Sequence, residues 1–202
     1  MSKKNEMLKN LIASKESGGD YNILVGGSKA PLTKMTVGEV MELQESMKDG
    51  DYLSSAVGKY QIKLSTLKEL QRRNPKEFAN DQPFDEAKQE RAGDILLLWR
   101  MRDRAPETAK KEKVSLEEAQ AIEVAKEWAS MPDPRTGKSF YAGDGVHNHM
   151  NVPRNATLDI IRAVEPSGAI TNGRQPQSPP VAAGGNSGPF SLQGYSSRPP
   201  MR

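Results

Sequence analysis

The sequence predicts an α+β fold that is mainly α, with one small β-hairpin and a Pro/Gly/Ser-rich C-terminal tail. Three observations predict it. Apolar residues recur at helical spacing in six stretches. One run, YNILV before Gly26-Gly27, is β-prone and ends in a turn signal. After residue 164 the composition changes: residues 165–202 hold six Gly, seven Pro and six Ser.

The elements follow in order. Met7, Leu8, Leu11 and Ile12 predict an amphipathic helix over 3–15, ended by Gly18 and Gly19. Residues 21–27 predict the hairpin. Thr36 with Glu39 forms a capping-box pattern for a helix whose apolar face is Val37, Val40, Met41 and Met47. Residues 50–56 read as a loop. GKYQIKLSTLKELQRR, residues 58–73, reads as a helix with Tyr60, Leu64, Leu67 and Leu70 near one face. Asp85 caps a long helix through about Arg104, whose AGDILLLWRM centre is the most apolar stretch. Ser115 with Glu118 opens a helix carrying Ala119, Ile122, Ala125 and Trp128, which Pro132 and Pro134 stop. Thr157 caps a last short helix with Leu158, Ile161 and Val164 inward.

The organisation is therefore a folded body, 1–164, and a low-complexity tail, 165–202. The tail cannot bury enough apolar surface to offset the entropy of ordering its backbone. It is expected to be extended or disordered unless Phe190, Leu192 and Tyr195 anchor it along a partner. Its three Arg and one Glu supply +2 of the net charge of +3. A nearly neutral body is not the profile of a nucleic-acid binder. With no cysteine, a disulfide framework and a thiolate metal site are excluded. No stretch approaches the roughly 20 apolar residues of a membrane span. The N-terminal MSKKNEMLKNLIASKES has charge but no continuous apolar run, so it reads as neither signal peptide nor anchor. The expectation is a protein made in the cytoplasm whose export uses another route.

Chemistry concentrates at Glu16. A carboxyl at a helix C-terminus faces the negative end of the helix dipole, and burial also disfavours its ionisation. Both effects push its pKa upward, as a general acid near neutral pH requires. Gly18 and Gly19 add no side chain to block a bulky substrate. Read alone, Glu16 is an exposed last-turn Glu. VHNHMN holds both histidines, His147 and His149, but no third ligand has the right spacing, so no metal and no cofactor are expected.

Four motifs in order change the weight on Glu16: Glu16-Ser17, YNILVGG, AVGKYQI and EWASMP. They resemble the ES, YDVIVGG, AGRYQ and IWASLP segments of the lysozyme-like superfamily, in its phage lambda lysozyme and lytic transglycosylase branch. Lys59-Tyr60 stand where many transglycosylases carry Leu-Met. The resemblance covers roughly residues 5–150, and the tail has no counterpart.

The resemblance implies a helical lysozyme-like domain with a cleft beside a small β-hairpin lobe, acting on the glycan strands of peptidoglycan. It implies Glu16 as catalytic acid, Gln61 and Tyr60 lining the cleft, and Gly58 allowing close packing. Ser17, Tyr21 and Asn22 are candidate sugar contacts, with Tyr141 in a loop closing one end. Trp128 reads equally as core. Asp20 is the candidate second acid, because the run from Tyr21 to Thr36 contains none. Asp51, Asp81 and Asp144 are loop acids without a motif.

A single acid implies a lytic transglycosylase that forms 1,6-anhydro-N-acetylmuramic acid. The alternatives are a two-carboxylate lysozyme, or an inactive virion structural protein of this fold. A phage setting follows from the same likeness. The protein would act in the cell wall as an endolysin or a virion component, and the tail would hold it to other virion proteins.

Overall fold

The computed structural model describes residues 2–48, 50, 52–142 and 152–163. The described residues are mainly helical, with isolated β-bridges and no sheet. The tail, the histidine pair, Asp51, Asp144 and Val164 lie outside the described residues.

Helix α1 (Lys3–Glu16) starts where the Ser2 side chain accepts from the Asn5 N–H. It buries Leu8, Ile12 and Ala13, while Met7 stays exposed. It stops at Gly18 and Gly19, with φ of +64° and +85°, and the Gly19 N–H turns back onto the Ala13 carbonyl at 3.1 Å.

The predicted β-hairpin is reduced to single bridges. Ile23 faces Lys29, closed by Leu24 N–H to Ser28 O at 2.7 Å and Ala30 N–H to Asn22 O at 3.0 Å. A 3₁₀ turn at Val25–Gly27 uses up the middle of the run, and Pro31 has no N–H to extend the pairing. Leu24 also bridges Val57, which in turn bridges Ile62.

Helix α2 (Val37–Lys48) carries the predicted capping box. Thr36 N–H donates to Glu39 Oε2 at 2.7 Å, and Glu39 N–H donates to Thr36 Oγ1 at 3.3 Å. Inside it, buried Gln44 donates through Nε2 to the carbonyls of Ser55 and Ile62, pinning the loop that follows.

Residues 58–63 depart from the predicted helix, and α3 (Leu64–Arg73) begins only after them. Val57 and Ile62 exchange both backbone hydrogen bonds, at 3.1 and 2.9 Å, which closes a tight loop. Gly58 (φ +73°) and Gln61 (φ +47°) turn it through left-handed backbone that no helix uses. Gly58 is required twice over, since a Cβ there would sit 2.4 Å from Gln89 Oε1. The expected face of α3, Leu64, Leu67 and Leu70, is buried as predicted.

Helix α4 (Glu86–Leu98) is capped by Asp85, which accepts from Lys88 N–H at 2.8 Å. It runs on through Trp99–Arg104 as a π-helical turn, with Ala105 N–H reaching the Arg100 carbonyl, and then into α5 (Ala105–Glu112). Pro106 explains the widening, because it has no N–H and its ring would strike the carbonyl four residues back in a regular helix. Helix α6 (Leu116–Glu127) has the predicted Ser115 cap, but ends at Trp128 before either proline. Helix α7 (Ala156–Arg162) starts after Asn155. Thr157 is therefore inside it and buried, not its cap.

A continuous apolar core joins Leu8 and Ile12 to Tyr60, Phe78, Phe84, Leu97 and Trp128. Beside it lies a cluster of charges. Lys9 pairs with Asp94 and, at 2.7 Å, with Glu90. Lys59, Tyr21 and Tyr60 all bond Glu90 as well, at 2.5, 2.9 and 2.9 Å. Burial opposes ionisation of Glu90, but these donors win and bring it to about 2. The cluster ties α1, α4 and the 58–62 loop into one frame. No helix among the described residues is long and apolar enough to cross a membrane.

Candidate active site

The last residue of α1 is where three segments distant in sequence meet. Glu16 borders a cavity of about 80 Å³ that Val25, Gln61, Lys63, Glu127, Trp128 and Tyr141 help to line. It adjoins a second cavity of about 240 Å³, and the two share Gln61, Lys63, Glu127, Trp128 and Tyr141.

Glu16 keeps part of its surface open, while its carboxyl lies deep among protein atoms. Burial is the main influence and raises its pKa above the ordinary 4.5. Two donors from one residue oppose this. Ser130 N–H and Ser130 Oγ–H both point to Glu16 Oε1, at 3.0 and 2.6 Å. Lys63 also lowers the pKa and Glu127 raises it, and burial prevails. Holding Oε1 fixes the carboxyl and leaves Oε2 without a hydrogen-bond partner among the described residues. A carboxyl with one oxygen clamped and the other free at a cavity wall can give a proton and take one back.

Gln61 reaches the wall through the left-handed turn. Its side chain donates to the Gly58 carbonyl at 3.0 Å. Tyr141 lines both cavities, with its hydroxyl on the Lys126 carbonyl at 2.7 Å and Lys63 over its ring at 4.9 Å. Trp128 serves both of its readings. It is core, 3% exposed, and it also lines the cavity, with Nε1–H on the Tyr60 carbonyl at 3.3 Å.

The other candidates are engaged elsewhere. Ser17 donates to the Lys59 carbonyl at 2.7 Å and fixes the 58–62 loop against α1. Asn22 accepts from Thr33 N–H and Thr33 Oγ1–H, which holds the bridge region closed. Tyr21 and Tyr60 bond Glu90; Tyr60 reaches the wall of the larger cavity, and burial, then Glu90, raises its pKa strongly. Asp20 pairs with Lys29 at 2.7 Å and accepts from Asn22 N–H at 2.8 Å. These bonds lower its pKa, and it does not line the Glu16 cavity.

Three site residues escaped the sequence reading. Ser130 lies inside EWASMP, the segment noted for its tryptophan, and its place two residues past that tryptophan was the signal the sequence offered. Glu127, the first letter of the same segment, is the other carboxylate on the cavity wall, paired with Arg100 at 2.7 Å. Lys63 had no signal beyond following the turn. Among the described residues no group of three or more His, Asp or Glu is placed to hold a metal.

Comparisons with family models, curated proteins and solved structures give no match to this chain.

Proposed function

We propose that this protein cleaves the glycan strands of peptidoglycan, as a lytic transglycosylase of the lysozyme-like type with Glu16 as its one acid and base. The supporting observation is the Glu16 carboxyl: raised by burial, clamped at Oε1 by Ser130, and open at a cavity lined by Gln61 and Tyr141. The four ordered motifs support the substrate class.

Protonated Glu16 gives its proton to the oxygen bridging N-acetylmuramic acid and N-acetylglucosamine. The C1–O bond breaks and the N-acetylglucosamine hydroxyl leaves. The muramic acetamido group steadies the positive charge at C1, as in substrate-assisted glycosidases. Glu16, now a carboxylate, takes the proton of the C6 hydroxyl on the same sugar. The C6 oxygen closes on C1 and a 1,6-anhydro end results. That hydroxyl is already held beside C1, so it outcompetes water at the site. The Ser130 donors stabilise the carboxylate between the two proton transfers.

A second reading rests on Glu127. It lines the same cavity, so a two-carboxylate lysozyme with Glu127 activating water uses the same residues. Its pairing with Arg100 and Lys126–Glu123 nearby favour a fixed ionic role. The phage setting and attachment of the tail to virion proteins belong to the same proposal. Clearing of purified bacterial walls by the wild-type protein, lost in folded Glu16→Gln, tests it. Equal clearing by that variant contradicts it.

A further inference from the structure

A cavity larger than the one at Glu16 lies elsewhere among the described residues. A groove of about 440 Å³ lies between α3 and the π-helical turn. That size is within the range of small-ligand sites. It neighbours the Glu16 region, because it shares Ser65, Thr66, Leu96, Arg100 and Glu127 with the 240 Å³ cavity, which in turn adjoins the Glu16 cavity.

Its wall is apolar, from Leu70, Ile95, Leu98 and Trp99, and its rim carries charges of both signs with one cation in excess. Four guanidinium groups, of Arg73, Arg91, Arg100 and Arg102, face three carboxylates, of Glu69, Asp103 and Glu127. Three of the arginines are already paired, with Glu69, Glu77, and the Glu123/Glu127 couple. Arg102 is exposed and makes no ion pair among the described residues. The Trp99 ring carries Arg73 at 4.4 Å and Arg100 at 4.8 Å from its centre. Guanidinium groups thus occupy the aromatic surface that a sugar would stack on.

We propose that this groove binds the peptide branch of the substrate, a short acidic peptide rich in alanine methyls, while the glycan itself lies at Glu16. This rests on the glycan-cleaving reading above. Carboxylates suit guanidinium forks and methyl groups suit the apolar wall, whereas a neutral sugar ring has no use for the forks and finds the Trp99 ring already taken by Arg73 and Arg100. Length agrees as well. From Ser65 to Asn74 helix α3 rises about 13 Å, which about four extended residues span.

The two tryptophans of the chain make the test direct, because Trp99 lines the groove and Trp128 lines the Glu16 cavity. Indole N–H resonances of the full-length protein are followed while a synthetic wall tetrapeptide (alanine, glutamate, a diamino acid, alanine) is added. In a second titration N-acetylglucosamine tetramer is added. The peptide is expected to move the Trp99 signal and leave Trp128 in place, and Arg102→Glu is expected to weaken that titration about threefold. A peptide that moves neither signal, or only Trp128, overturns the proposal. So does a tetramer that moves Trp99, which would make the groove part of the glycan track. Neither titration needs turnover. Peptide binding without wall clearing therefore supports the groove while counting against catalysis, and clearing without a Trp99 response does the reverse.

Discussion

Removing the hydroxyl of Ser130 perturbs Glu16 without touching its own atoms. The bond is short, 2.6 Å, buried, and directed at a group that ionises in each turnover. A hydrogen bond to a charged group contributes about 1.5–3 kcal/mol, against about 0.5–1.5 for a neutral one. Ser130→Ala should therefore cost about 1.5–3 kcal/mol of folding stability where Glu16 is ionised, and less at low pH, where it is protonated. The lost donor favours the carboxylate, so its removal moves Glu16 further in the direction that burial already pushes it. The alkaline limb of the pH–rate profile should move to higher pH, and kcat at the optimum should fall about tenfold as Oε1 loses one of its two anchors. The assay is wall clearing from pH 4 to 9 beside urea melts at both ends of that range. A variant with the wild-type profile, rate and melts would refute the assignment of Ser130 as the residue that positions the acid.

The remaining expectations are independent of that variant. Glu16→Gln should raise the thermal midpoint at pH 8 and leave it unchanged at pH 4. The wild-type loses stability as pH rises from 4.5 through the raised folded value, and Gln does not, so equal shifts at both pH values would contradict the burial argument. Asp20→Asn should keep activity within about twofold, because its partner is the exposed Lys29, whereas loss of clearing would return Asp20 to the site. Gly58→Ala should lower the urea midpoint, with about 1–3 kcal/mol from the left-handed backbone alone and more from the contact with Gln89; an unchanged midpoint would contradict the loop geometry.

The helices were legible because their apolar faces and caps are local. Thr36–Glu39, Asp85 and Ser115 cap where the pattern placed them. The 58–62 loop was not legible, since Tyr60 and Leu64 keep helical spacing in a segment that tertiary contacts with Gln89 and Ile23 fold into a turn. The π-turn hid for a similar reason: one proline, Pro106, sets it, inside an otherwise regular pattern. At the site, Glu16 stood out through its neighbours in sequence. Ser130 and Glu127 did not, because their roles come from a chain separation of more than a hundred residues. Ser17, Tyr21 and Asn22 stood close to Glu16 in sequence, yet their hydrogen bonds serve the frame.

The ends left on the glycan test the central claim most directly. Purified sacculi are digested with wild-type protein and with Glu16→Gln, and the released fragments are weighed by mass spectrometry before and after borohydride. One acid working alone predicts 1,6-anhydro-N-acetylmuramic ends from the wild-type, untouched by borohydride and one water lighter than hydrolytic ends, with none from the variant. Reducing ends that disappear in Glu127→Gln would make the protein a two-carboxylate lysozyme. Fragments of either kind released by the folded Glu16→Gln variant at the wild-type rate would contradict the account.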